Sequence, residues 1–130
     1  MIVVDASAVL EVLLNTPAAP QVAGRLFVAG ETLHAPHLLD LEVAQVLRRY
    51  AAVGDLDPRR GQQALEYLLR LPLTRYPHDV LLPRIWELRH AITAYDAAYL
   101  ALAEALAAPL VTRDASLAAA GRRLARIELI

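Results

Sequence analysis

The sequence predicts an α/β fold, in which helices cover both faces of a parallel sheet. Short apolar runs such as Ile2-Val3-Val4 and Leu110-Val111-Thr112 alternate with longer segments of helical periodicity. Strands that are separated by helices are joined by right-handed crossovers, which makes them parallel. Hydrophobic residues make up 57% of the chain, as expected where strands are buried on both faces.

The predicted elements alternate along the chain. Strands are expected at residues 2–4, 32–35, 73–76, 110–112 and 126–130. Helices are expected at residues 6–14, 18–29, 36–53, 58–71, 79–90, 94–107 and 115–124. The third helix is expected to open at Pro36, because proline is well suited to a first helical turn. No linker or repeat divides the 130 residues, and this length supports one core. We therefore expect a single domain over residues 1–130.

Composition excludes several kinds of chemistry. The chain has no cysteine, which excludes disulfides and thiolate metal sites. All 13 basic residues are arginine, which excludes mechanisms that need a catalytic lysine. Receiver domains and haloacid-dehalogenase-like phosphatases, which use a lysine beside the phosphoryl group, are therefore disfavoured. The net charge is −1, so a nucleic acid would have to be held by local basic patches.

The sequence favours a cytoplasmic protein. No segment approaches the roughly 20 apolar residues of a membrane span. Residues 1–14 contain two acids and lack the basic flank of a signal peptide. The apolar composition also suggests that a second subunit or a partner covers part of the surface. Leu65, Leu68 and Leu69 form an apolar stripe that would face either such a partner or the core of the domain itself.

Four carboxylates are predicted to meet at one edge of the sheet. Asp5 follows the first strand and Asp114 follows the fourth. Glu42 lies in the second turn of the helix after the second strand, and Asp96 lies in the first turn of the helix that leads into the fourth strand. Ligands of parallel sheets bind in the crevice outside the carboxyl ends of the strands. We therefore expect a cluster there.

Each of these acids could instead have an ordinary structural role. Asp5 and Asp114 could be helix N-caps, and the spacing of Thr93 and Asp96 fits a capping box. Glu42 could be a solvated helix residue. Periodicity alone also leaves open whether Glu42 or Asp40 faces the crevice.

A cluster of carboxylates favours a metal-dependent reaction on phosphate. Close like charges repel unless a cation neutralises them, and oxygen ligands suit Mg²⁺ or Mn²⁺. Such ions activate water and stabilise displacement at phosphorus. His34 and His37 form a weaker metal candidate, since no third ligand is evident. Paired arginines could contact phosphates; they occur at Arg48-Arg49, Arg59-Arg60 and Arg122-Arg123.

Four segments resemble proteins of the PIN-domain family, of the VapC toxin type. They are Val3-Val4-Asp5-Ala6-Ser7-Ala8, Leu39-Asp40-Leu41-Glu42-Val43 before Leu47-Arg48-Arg49, Tyr95-Asp96-Ala97-Ala98-Tyr99, and Leu110-Val111-Thr112-Arg113-Asp114. Their order and spacing match the family over nearly the whole chain. One segment alone would be weak, whereas the four together are specific.

The resemblance implies a three-layer α/β/α fold with strand order 3-2-1-4-5, and Mg²⁺- or Mn²⁺-dependent cleavage of RNA. It implies a homodimer that is silenced by a small cognate antitoxin. By position it assigns Asp5, Glu42 and Asp96 as the acidic core and Asp114 as the fourth, more variable acid. The family's hydroxyl residue after the first acid is Ser7 here, and Thr112 lies near the fourth acid.

Two alternatives to a ribonuclease remain at this point. The scaffold could bind RNA or a protein without turnover. It could also cleave DNA, because carboxylate-bound metal ions attack the phosphodiesters of either polymer.

Overall fold

The protein is built on a five-stranded parallel sheet. A computed structural model describes residues 1–130, and its strand order is β3-β2-β1-β4-β5. The strands are β1 (Ile2–Val4), β2 (Leu33–Pro36), β3 (Leu73–Tyr76), β4 (Leu110–Thr112) and β5 (Ile127–Leu129). All four neighbouring pairs are parallel. The predicted class and strand order are confirmed.

Seven α-helices and one 3₁₀ turn connect the strands. The helices are α1 (Ala6–Leu13), α2 (Ala19–Leu26), α3 (Leu38–Ala52), α4 (Pro58–Arg70), α5 (Leu82–Glu87), α6 (Ala94–Leu106) and α7 (Ala115–Gly121). Helices α1 to α4 pack together, as do α5 and α6. Both groups also contact the sheet, which gives three layers. No helix is long and apolar enough to cross a membrane.

Several boundaries differ from the prediction: α2 ends three residues early, at Leu26, and α7 ends three residues early, at Gly121. Two further differences involve proline. Pro36 is the last residue of β2 and pairs with Tyr76, and α3 begins at Leu38. The segment predicted as one helix over 79–90 is a 3₁₀ turn, Asp79–Leu81, followed by the short helix α5. Pro83 has no N–H with which to continue the preceding turn, so the α-helix starts anew around it.

The apolar stripe of α4 is divided between core and surface. Leu68 is buried, Leu65 lies at the boundary, and Leu69 is 75% exposed. The core itself is formed by the fully buried strand β1 and by the inner face of α6, where Tyr99, Leu100 and Leu102 are buried. Because β1 and β4 are neighbours at the centre of the sheet, their carboxyl ends place Asp5 and Thr112 side by side.

Candidate active site

The four predicted acids line one cleft at the carboxyl edge of the sheet. The cleft has a volume of about 340 Å³, and its lining includes Asp5, Glu42, Asp96 and Asp114. It opens where β1 and β4 pair, with Val4 opposite Val111. This is the point at which the strand order reverses, where ligands of parallel sheets bind.

A larger depression lies elsewhere, between α1, α2 and α4. Its volume is about 500 Å³, and it contains no carboxylate. Arg60 is its one charged lining residue. The titratable groups that acid–base or metal chemistry would need therefore belong to the smaller cleft.

Asp5 is fixed from three directions. Its Oδ1 accepts hydrogen bonds from Ser7 Oγ at 2.7 Å and from the Ala8 amide at 3.1 Å, while its Oδ2 accepts one from Thr112 Oγ1 at 2.6 Å. Asp5 is thus both the N-cap of α1 and a lining residue of the cleft. Burial raises its pKa, the three hydrogen bonds partly oppose that rise, and the charge of Asp114 adds to it.

Asp114 also combines a cap with a place in the cleft. Its Oδ1 accepts from the amides of Ser116 at 2.8 Å and Leu117 at 3.2 Å, which caps α7. Its own amide donates to Thr112 Oγ1 at 2.9 Å. Through Thr112, the backbone of one acid is therefore linked to the carboxylate of the other, Asp5.

Glu42 enters the cleft from α3. Its Oε1 accepts a hydrogen bond of 2.5 Å from the hydroxyl of Tyr99 on α6. Burial raises the pKa of Glu42, and the charges of Asp5, Asp96 and Asp114 raise it further, against the opposing effect of the Tyr99 hydrogen bond. The acids are therefore close enough to act on one another electrostatically.

Asp96 has a carboxylate that no protein donor contacts. Thr93 caps α6 and accepts from the Asp96 amide at 3.2 Å, but the Asp96 side chain forms no return bond. The capping box suggested by the spacing is therefore only half formed. Burial raises the pKa of Asp96, and the charge of Asp114 adds to that rise.

Asp40 lies outside the cleft. Its Oδ2 pairs with Arg75 Nε of β3 at 2.8 Å, and its buried Oδ1 has no partner. The choice that periodicity left open is thus decided by the structure, which turns Glu42 toward the other acids and Asp40 toward the neighbouring strand.

The histidine pair does not form a metal site. The ring of His34 lies between two hydroxyls, with Nε2 2.7 Å from Thr32 Oγ1 and Nδ1 2.7 Å from Tyr76 Oη. Burial lowers the pKa of His34, which favours the neutral form of the ring. His37 is 6.0 Å from His78 by ring centroids and joins no cluster of ligands.

The chemistry of the acidic cleft fits a hard divalent cation. The four predicted acids offer only oxygen ligands, and three of them have pKa values raised by burial and by neighbouring negative charge. A bound cation would remove this electrostatic cost. As placed, no three side chains converge on one point. Asp96, whose carboxylate contacts no protein donor, and Asp114, whose Oδ2 accepts no hydrogen bond, would hold such an ion together with Asp5 and Glu42.

Comparison with known proteins identifies the family. The family model described as "PIN domain" matches residues 2–123. This chain belongs to the PIN-domain family. It is 48% identical to Ribonuclease VapC9 of Mycobacterium tuberculosis, over 100% of this chain and 98% of the relative.

Solved PIN-like structures share the fold. PAE2754 from Pyrobaculum aerophilum has a TM-score of 0.71 and 26% identity, covering 97% of this chain and 81% of that chain. VapBC2 from Rickettsia felis, bound to a DNA fragment from its promoter, has a TM-score of 0.72 and 16% identity, covering 99% and 98%. The resemblance of the four sequence segments to VapC-type PIN proteins is thus confirmed.

Several residues of the PIN-domain cleft were not singled out by sequence reasoning. Tyr99, Arg113, Tyr50 and a fifth acid, Glu11, line it together with the four predicted acids. Tyr99 follows Asp96 by three positions on α6, a spacing that places two side chains on one helical face. That spacing was the signal available for Tyr99. Arg113 pairs with Glu11 at 3.6 Å, a contact that no sequence pattern indicates.

Proposed function

We propose that this protein is an endoribonuclease toxin of a type II toxin–antitoxin pair and that its activity depends on Mg²⁺ or Mn²⁺. One observation carries the proposal: the four predicted acids, from four parts of the chain, line a single cleft in a PIN domain of VapC type. Asp5, Glu42, Asp96 and Asp114 are the proposed metal-binding and catalytic residues. Ser7 and Thr112 are the proposed supports of the site.

Each acid contributes differently. Asp5 is held rigidly by Ser7 and Thr112 and supplies fixed negative charge at the floor of the cleft. Glu42 and Asp96 add charge from opposite sides, on α3 and α6. A divalent cation, when bound, supplies positive charge that activates water and stabilises the charge that develops at phosphorus.

RNA is the proposed substrate because the relatives are named ribonucleases, and the rim of the cleft offers cations to a polyanion. Arg49 lines the cleft and forms no ion pair. Arg113 lines it as well, and its amide donates to Ser7 Oγ at 2.9 Å. Phosphate contacts from such residues would position a strand across the acids. Because cellular RNA is the proposed substrate, the cytoplasm is the proposed location of the protein.

We further propose a homodimer that binds a small antitoxin. The VapC kinship supports the antitoxin, and exposed apolar side chains support burial of surface between subunits. Leu82 and Tyr95 line an apolar depression beside α5 and α6, and Trp86 of α5 is exposed as well. Such a cluster is a better candidate interface than the stripe of α4, of which only Leu69 is largely exposed.

The test incubates the purified protein, without antitoxin, with end-labelled RNA and with DNA strands of matched sequence, and measures cleavage of each. We expect cleavage of RNA in Mn²⁺ or Mg²⁺, none in EDTA, and none of DNA. Cleavage of DNA alone would replace the proposal with a DNA nuclease. Binding of RNA without turnover in any divalent cation would indicate a silent binding module.

A further inference from the structure

The hydroxyl of Tyr99 supplies the only protein hydrogen bond to the carboxylate of Glu42. Oε1 accepts that bond at 2.5 Å, and no other donor contacts the Glu42 carboxylate. Asp5, by contrast, accepts three hydrogen bonds. The position of Glu42 in the cleft therefore depends on a single contact, made across two helices that approach the sheet from different sides.

Tyr99 is well suited to hold another side chain in place. It is 2% exposed, so its ring is immobilised by the core around it, and its hydroxyl meets Glu42 at the cleft. A glutamate has several rotatable bonds, and without a partner its carboxylate samples many positions. A rigid donor at one oxygen selects one of them.

The same helix also presents Asp96. Asp96 and Tyr99 are three residues apart and lie on one face of α6, and both line the cleft. One rigid element thus carries an acid directly and positions a second acid through a hydroxyl. The hydrogen bond occupies Oε1 of Glu42 and leaves Oε2 without a protein donor.

We propose that Tyr99 is a positioning residue that orients Glu42 so that Oε2 is available to a divalent cation. This inference rests on the proposed function, since it assigns Glu42 to metal binding. Partners that orient metal ligands typically affect metal affinity or activity by about 10- to 100-fold when they are removed. A purely structural tyrosine would affect folding stability instead.

The test compares Tyr99→Phe with Tyr76→Phe. Each substitution removes one phenol hydroxyl that makes a side-chain hydrogen bond, to Glu42 in the first case and to His34, outside the cleft, in the second. Binding of Mn²⁺ is measured by electron paramagnetic resonance of the free ion, and the melting temperature without metal is recorded for both. We expect Mn²⁺ affinity to fall by about 10-fold or more in Tyr99→Phe and to stay unchanged in Tyr76→Phe.

A second variant changes the other partner of the same hydrogen bond, Glu42. Glu42→Asp keeps the charge but is one methylene shorter, so it cannot both reach Tyr99 and keep its place in the cleft. We expect a loss of Mn²⁺ affinity similar to that of Tyr99→Phe. The double variant should lose little more than either single variant, because residues that act through one contact are not additive.

Three results would overturn the inference. They are wild-type Mn²⁺ affinity in Tyr99→Phe, an equal loss in Tyr76→Phe, and additive losses in the double variant with Glu42→Asp. If any of these results is found while wild-type protein binds Mn²⁺ and cleaves RNA, the inference fails but the proposed function stands. If wild-type protein neither binds Mn²⁺ nor cleaves RNA, the proposed function fails and this inference fails with it.

Discussion

Asp40 and Glu42 lie two positions apart on α3, and their carboxylates serve different surfaces. Asp40 pairs with Arg75 on β3, whereas Glu42 accepts from Tyr99 in the acidic cleft. Residues at i and i+2 on a helix point in different directions, so only one of the two can line the cleft. In the structure that residue is Glu42, so substitutions of Glu42 and Asp40 should affect activity and stability differently.

Glu42→Gln should abolish RNA cleavage without loss of folding, because it removes a charge from the proposed metal site and keeps the shape of the side chain. Asp40→Asn should keep the activity and lower the stability by about 0.5–1 kcal/mol, as expected for a partly exposed ion pair. The measurements are cleavage rate in Mn²⁺ and urea unfolding. Loss of activity in a folded Asp40→Asn protein, with Glu42→Gln active, would reverse the assignment.

The metal-free protein should be destabilised by its own active site. The pKa of Asp96 is raised by burial and by the charge of Asp114, so its ionised form is disfavoured in the fold. Asp96→Asn should therefore raise the melting temperature at pH 7.5 in EDTA. The rise should be a few degrees at most, because Asp96 is half-buried and solvent screens the repulsion; about 1 kcal/mol corresponds to about 4 °C in a domain of this size.

The same comparison has a defined pH dependence. A carboxyl whose folded pKa is raised favours the fold below its ordinary pKa, 3.8 for Asp96, and that contribution is lost as the pH rises through the folded value. The advantage of Asp96→Asn should thus shrink as the pH falls from 7.5 toward 4. Asp55→Asn, at an exposed acid outside the cleft, is the control and should show no such trend. An advantage that grows on acidification would contradict this account.

Arg49 should contribute to RNA binding through phosphate contact. Arg49→Ala should weaken binding about fivefold, equivalent to about 1 kcal/mol, and reduce the slope of log affinity against log salt by about 0.7–1. Arg48→Ala is a matched control, because Arg48 is exposed on the same helix and does not line the cleft. Binding is measured on an uncleavable RNA over a range of salt. Equal effects of the two substitutions would remove the special role of Arg49.

Much of the fold could be predicted from the sequence because its local signals agree with one another. Apolar runs marked β1 and β4, and the acids that follow them cap α1 and α7 where expected. Local pattern failed at Pro36, since a proline suits both a strand end and a first helical turn, and the pairing with Tyr76 decides between them.

Four of the acids that line the cleft could be predicted from the sequence, but the residues that hold them in place could not. Asp5, Asp96 and Asp114 follow from their positions at element ends. The partner of Glu42 could not be predicted, because Tyr99 is 57 residues away in sequence and meets it only when α3 and α6 are packed. The pairing of Asp40 with Arg75 likewise depends on the register of β3.

Oligomerisation should depend on the apolar surface near α5. The protein should sediment as a dimer at tens of micromolar, a range reached by specific interfaces of ordinary size. Leu82→Asp should shift it to monomers, because a charge would be buried at the interface. Leu69→Asp, at a leucine of α4 that is more exposed than Leu82, should leave it dimeric. Monomers in the wild-type protein, or dissociation by Leu69→Asp alone, would contradict the assignment of this surface.

The most direct test of the acidic cleft is the rate at which purified protein cleaves a labelled RNA in Mn²⁺. Wild type, Asp96→Asn and Asp55→Asn are compared at equal folded fractions. We predict that wild type and Asp55→Asn cleave RNA at the same rate and that EDTA stops both. Asp96→Asn should cleave more slowly by about 100-fold or more, because loss of a proposed metal ligand should lower the rate at least as much as loss of a residue that orients such a ligand. A folded Asp96→Asn protein that cleaves RNA at the wild-type rate would contradict the account.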